Sequence, residues 1–133
     1  VQKYMVQVKI YGLKTPLMAH ADLLSAAIHN AVIEALIYSP EKKFHRLIGL
    51  EKTEFIYPAD RTENYTIIEV SMFDGRSIEA KKSLISLIFA NIKREVGIEP
   101  QDIEITINET PKQNWGIRGL CGDELVLGYK VDV

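Results

Sequence analysis

Residues 65–107 read YTIIEVSMFDGRSIEAKKSLISLIFANIKREVGIEPQDIEITI, a strand, a helix and a second strand with their punctuation. Tyr65 to Met72 is rich in β-branched residues and keeps Ile68, Val70 and Met72 on one parity, the period of a strand. Asp74-Gly75 turns the chain and Ser77 is placed to cap a helix. Glu79 falls in the first turn, where the positive end of the helix dipole favours a carboxylate. Leu84, Ile85, Ile88, Ile92 and Val96 recur at helical spacing and form one apolar stripe. Gly97 supplies the left-handed residue that stops a helix, with Ile98 placed for the hydrophobic contact of a Schellman stop. Ile103, Ile105 and Ile107 then alternate with Glu104, Thr106 and Asn108 as the next strand.

The same plan stands 60 positions earlier. Val8 falls on Ile68, Ile10 on Val70, Leu24 on Leu84, Ile28 on Ile88, Val32 on Ile92, Leu36 on Val96, Pro40 on Pro100 and Leu47 on Ile107, without a gap. Val6, Val8 and Ile10 alternate with Gln7, Lys9 and Tyr11 as a strand. Thr15 and Pro16 read as N-cap and first helical residue, and Leu17, Ala21, Leu24, Ile28, Ala31 and Ala35 as the buried stripe. Ser39-Pro40 stops that helix, and a second strand runs from Phe44 to Leu50. The expectation is an α+β fold: one domain over residues 1–133, made of two β-α-β repeats at about 5–50 and 65–110 that share a four-stranded sheet with both helices on one face. Residues 51–64 link the halves, and Leu125 to Val131 has the composition of a short final strand or hairpin. The face away from the helices carries Tyr65 and Ile67 on one strand and Phe44, Ile48 and Leu50 on another. An apolar second face needs a cover, which predicts a partner copy.

Composition narrows the function. A net charge of −2 offers no electrostatic footprint for nucleic acid or an anionic membrane. The longest apolar runs are interrupted by Asn30, Glu34, Lys93 and Arg94, too early for a membrane span, and Val1 to Met5 lacks the layout of a signal peptide. Cys121 is alone, so no internal disulfide forms and a cytoplasmic location is expected.

Few residues offer chemistry. His20 and His29, nine positions apart, fall on opposite sides of a helix, and no metal site is predicted. His45 is the candidate catalytic base by residue type, set against the reading of a half-buried structural imidazole. The glycine-spaced run from Gly116 to Gly122 lacks a following Lys-Ser/Thr and a helix to receive a phosphate, so it reads as a turn. Arg76 sits at the carboxyl end of a strand and before a helix, where a guanidinium suits a carboxylate; its rival reading is a surface arginine balancing Asp74. In the segment from Asn114 to Arg118, Trp115 lies in a loop, a place for a tryptophan that closes a pocket or an interface.

Three runs carry a family resemblance: Met72 to Lys82, Gly97 to Ile103, and Glu109 to Gly116. In order and spacing the chain resembles the tautomerase superfamily, in its fused, malonate semialdehyde decarboxylase-like branch, from about Met5 to Gly119. The resemblance implies a β-α-β duplication, a homotrimer with sheets facing inward, and pockets near subunit boundaries. It implies tautomerisation, decarboxylation, hydration or dehalogenation of small carboxylic acids without metal or organic cofactor. The family base is an N-terminal proline amine, assisted by arginines that hold the carboxylate.

Carried over residue by residue, Arg76 matches a substrate-binding arginine and Trp115 an aromatic wall of the pocket. Ile117 stands where the branch has a second aromatic, and with Arg118 completes the expected substrate-binding set. Asp74 replaces a second arginine, and Lys42 reverses the charge of an acidic position. Val6 stands where the proline belongs, behind five residues, so a proline-amine mechanism is not expected. Two functions follow. One is a cofactor-independent enzyme acting on a small keto or unsaturated carboxylate with a base other than proline; the other is a non-catalytic trimeric binding or scaffold protein.

Overall fold

The computed structural model describes residues 5–125. Strand β1 (Val6–Leu13) leads into helices α1 (Lys14–Ala19) and α2 (Ala21–Leu36) and then strand β2 (His45–Leu50). Strand β3 (Thr66–Phe73), helix α3 (Ile78–Glu95) and strand β4 (Ile103–Thr110) repeat the plan. The sheet order is β2-β1-β3-β4. β1 pairs in parallel with β2, β3 in parallel with β4, and β1 with β3 antiparallel, so the halves meet along their first strands. A two-stranded hairpin, β5 (Gly116–Ile117) and β6 (Leu120–Cys121), follows. Its two-residue turn has Arg118 at φ 49° and Gly119 at φ 90°, the pair of positive φ angles of a type I′ turn.

The core lies between the helices and one sheet face. Val6, Val8 and Ile10 of β1 and Ile68, Val70 and Met72 of β3 meet Leu24, Ile28, Leu84, Ile88 and Ile92 from the helices. Asn91, buried on α3, donates to the carbonyl of Ala27 on α2 at 3.1 Å and ties the helices together. The expected four-stranded sheet with both helices on one face is present.

Several sequence expectations need correction. β1 continues to Leu13 and α1 begins at Lys14 with no side-chain cap, so Thr15 lies inside the helix and caps nothing. One helix was expected before Ser39-Pro40; instead the chain breaks at His20, and α2 ends at Leu36, where Ile37 turns left-handed. The second face is apolar only toward the Leu13 end. Elsewhere it carries Lys9, Tyr11 and Glu69: Lys9 lies 3.7 Å from the Glu69 carboxylate, and Tyr11 donates to it at 2.8 Å. At the apolar end the linker supplies the cover. Phe55 and Tyr57 pack with Leu13, Leu50, Tyr65 and Ile67, so part of the surface assigned to a partner copy is covered by the same chain. The expected terminal strand or hairpin at 125–131 lies, beyond Leu125, outside the described residues. Among the described residues no helix is long and apolar enough to cross a membrane.

Candidate active site

The end of the sheet where β1 begins and β3 finishes gathers most of the residues singled out by resemblance. Antiparallel pairing sets Val6 opposite Met72, and the Phe73 amide donates to the Met5 carbonyl at 3.4 Å. Phe73 meets Trp115 edge to face at 5.2 Å between ring centroids. The hairpin holds that tryptophan through the Gly122 amide, which donates to the Trp115 carbonyl at 2.7 Å. A Cβ at Gly122 would stand 2.8 Å from Phe73 Cζ and 2.6 Å from the Lys112 carbonyl, so this closure admits only glycine. Ile117 is half-buried on β5, and Arg118 is exposed at the hairpin turn.

Arg76 reaches the same region from the loop after β3, behind Gly75 at φ 112°. Its Nη1 donates to the carbonyl of Leu36 at 2.8 Å. That carbonyl belongs to the last residue of α2, where unsatisfied acceptors and the negative end of the helix dipole favour a cation. Asp74 is exposed, and its amide bonds the Thr110 carbonyl at 3.1 Å.

Immediately beyond Leu36, Ile37 has φ 51° and ψ 58°. A β-branched residue in the left-handed region is strained, and such strain persists where the surroundings over-determine it. The turn carries Tyr38 back under the sheet, where its phenolic oxygen accepts the amide N–H of Val6 at 3.1 Å. Burial pushes the Tyr38 phenol up, while the Val6 N–H and the Arg76 charge pull it down. Sequence reasoning passed over Tyr38; its only local signal is an aromatic just after a helix stop.

His45 lies apart from this group but beside it. It pairs with Val8, two residues into β1, on the helix side of the sheet. Its Nδ1 is 2.7 Å from Ser25 Oγ on α2. His29, one helical turn beyond Ser25, bonds the Pro40 carbonyl through Nε2 at 2.7 Å, so that nitrogen carries a hydrogen. The rings of His29 and His45 meet edge to face at 5.7 Å, and His29 meets Tyr38 at 6.4 Å. Burial, with His29 and Lys43 nearby, lowers His45 to about 4, a neutral and weakly basic imidazole at neutral pH. The helical arithmetic separated His20 from His29 and said nothing of His45, since strand and helix meet only in the fold. Among the described residues no three His, Cys, Asp or Glu side chains could hold a metal ion.

Cys121 is exposed, and the Glu124 carboxylate raises its thiol, so the environment does not activate it.

Comparison with known proteins gives the family and the fold. Residues 42–118 match the family described as tautomerase enzyme. The chain is 28% identical over 97 residues to the probable tautomerase YusQ of Bacillus subtilis (strain 168), covering 69% of this chain and 76% of that protein. It is 35% identical over 57 residues to the 2-hydroxymuconate tautomerase of Comamonas testosteroni, covering 43% of this chain and 90% of that enzyme. Its fold superposes on malonate semialdehyde decarboxylase with a TM-score of 0.75 at 18% identity, over 84% of this chain and 89% of that one. A fused 4-OT described as an asymmetric trimer gives 0.78 at 16% identity, over 88% and 96% of the two chains. The structural matches show the same fold, and the match over residues 42–118 establishes that the chain belongs to the tautomerase family.

Proposed function

We infer that this chain turns over a small keto or unsaturated carboxylate, by tautomerase or decarboxylase chemistry, at the end of the sheet where β1 begins. Arg76 holds the substrate carboxylate, Trp115 and Ile117 wall the pocket, and Arg118 at the hairpin turn completes the set. The observation that carries the reading is convergence: the β3–α3 loop, the start of β1 and the Phe73–Trp115 contact meet at one end of the sheet. A guanidinium has five N–H donors in a planar fork, and its bond to Leu36 fixes that plane. The reaction class needs proton transfer and no redox partner. A homotrimer is the assembly we propose, by likeness to the trimeric fused 4-OT.

One observation favours a second reading, a trimeric binding or scaffold protein. The Val6 nitrogen, behind Met5, is an amide that donates to Tyr38 and cannot act as the base the family resemblance implies. Calorimetric titration with oxalate and a turnover assay with phenylenolpyruvate separate the two. The enzyme reading expects oxalate affinity to fall about tenfold or more in Arg76→Ala, the size of a shielded charge-assisted contact. It also expects turnover by the unmodified chain. Equal affinity in wild type and variant removes Arg76 from the site; binding without turnover establishes the scaffold.

A further inference from the structure

The enzyme reading requires a group that moves a proton, and the start of β1 shows one. Tyr38 is only 4% exposed, yet among the described residues its hydroxyl accepts the Val6 N–H and gives its own proton to no acceptor. Paired through its oxygen, the hydroxyl keeps its hydrogen available, among the described residues, for a group brought to this end of the sheet. The residue is also held in place by strain: Ile37 occupies the left-handed region, with Arg76 bonded to the carbonyl just before it. The same arginine therefore sets both the proposed carboxylate site and the turn that delivers the phenol. Where the resemblance expects an amine that accepts a proton, this chain has an amide that donates one, and Tyr38 is what it donates to.

We propose that Tyr38 is the catalytic acid of this site and that the Val6 N–H stabilises the phenolate formed when its proton leaves. The proposal rests on the enzyme reading above and deepens it by restricting the substrate to an enol carboxylate. The Tyr38 O–H bond breaks as its proton forms a C–H bond, with the electron pair supplied by the enol C=C. The enol oxygen closes to C=O, and the enol O–H proton passes to the tyrosinate, restoring the phenol. Nothing is oxidised or reduced, and the cycle neither gains nor loses a proton. Burial keeps the phenol protonated at rest, while the Val6 N–H and the Arg76 charge both favour the anion once it forms.

The test is Tyr38→Phe in the full chain, assayed with phenylenolpyruvate, titrated with oxalate and melted thermally. The proposal expects turnover to fall about 100-fold or more, the range of a lost general acid, with oxalate affinity kept. Turnover within a few-fold of wild type in the variant overturns the proposal and leaves the enzyme reading standing. Wild type that binds oxalate in an Arg76-dependent way without turnover also overturns it; wild type that neither binds nor turns over removes both. Should Tyr38→Phe not fold, wild type labelled with 13Cζ-tyrosine decides. The Tyr38 resonance must move on adding oxalate and stay still in Arg76→Ala; an unmoved resonance in oxalate-bound wild type overturns the proposal.

Discussion

The two helices α2 and α3 occupy equivalent places in the repeat and bury equivalent stripes, yet they end by different means. α3 begins at Ser77, whose hydroxyl accepts the Ala80 amide at 3.0 Å, and stops at Gly97, at φ 82°, with its amide on the Ile92 and Lys93 carbonyls. These are local devices, each complete within a few residues. α2 has neither. It follows a break at His20, lacks a side-chain cap, and stops at a strained isoleucine with an arginine from the other half on its last carbonyl. The first half also carries His45 where the second has Ile105. The second half keeps the regular plan and supplies Arg76 from the loop between β3 and α3. The first departs from the same plan around Tyr38, where the proposed chemistry lies.

The largest expected effect tests that asymmetry through pH. His45 has a folded pKa of about 4 against an ordinary 6.5, so the unfolded chain binds the proton more readily. Stability is then full above about pH 6.5 and is lost as pH falls toward 4, because between those values the unfolded state takes up protons that the native state refuses. The full linkage is reduced because the ring keeps some contact with solvent, leaving about 2 kcal/mol. Urea unfolding of wild type between pH 7 and 4 should show this slope, and His45→Gln should flatten it. A slope of equal size in the variant assigns the effect to other groups.

Capping gives the next contrast. Ser77→Ala should cost about 1 kcal/mol, the usual value of an N-cap hydroxyl, while Thr15→Ala should cost only a few tenths. Urea midpoints for the two variants measure the difference; a comparable loss at Thr15 would mean that α1 begins later than Lys14 and that Thr15 does cap it.

The helix stops give the smallest effects and the sharpest sign. An added Cβ at Gly97 meets nothing within 4 Å, so Gly97→Ala brings only the left-handed strain of about 1–2 kcal/mol, partly offset by about 0.4–1 kcal/mol of lost unfolded-state freedom, and should destabilise by about 0.5–1 kcal/mol. Ile37 is 74% exposed, and Ile37→Gly relieves about 1–2 kcal/mol of left-handed strain against roughly 0.4–1 kcal/mol of added unfolded-state entropy. A net gain of about 0.5 kcal/mol in thermal melts is expected. A loss there would mean that the turn carries no strain, and that Ile37 contributes by contact.

What could be read in advance divides by the range of the interaction. The repeat, the strand parities, the Ser77 cap and the Gly97 stop depend on neighbours within one or two turns, so residue type and spacing carry them. Thr15-Pro16 misled because the pairing of β1 with β2, down to Leu13 opposite Leu50, prolongs the strand to the edge of the helix. The second sheet face misled because its apolar residues were read without the linker, whose Phe55 and Tyr57 fold onto them. The candidates Arg76 and Trp115 stood out by their places at a strand–helix junction and in a loop, as well as by family resemblance, and His45 by residue type alone.

The sequence by itself determined two β-α-β units, their shared sheet and the helix-covered face, because periodicity and local hydrogen bonding are written along the chain. Only the tertiary structure decided that Tyr38 meets Val6, that Arg76 closes α2 on Leu36, and that His29 and His45 touch. The first two join residues 32 and 40 positions apart, and the third joins a helix to an edge strand. No local spacing encodes them. The Arg76 bond follows from the antiparallel meeting of β1 and β3, which brings the end of one half's first strand to the start of the other's, and the other two follow from the crossover that lays α2 and β2 against β1.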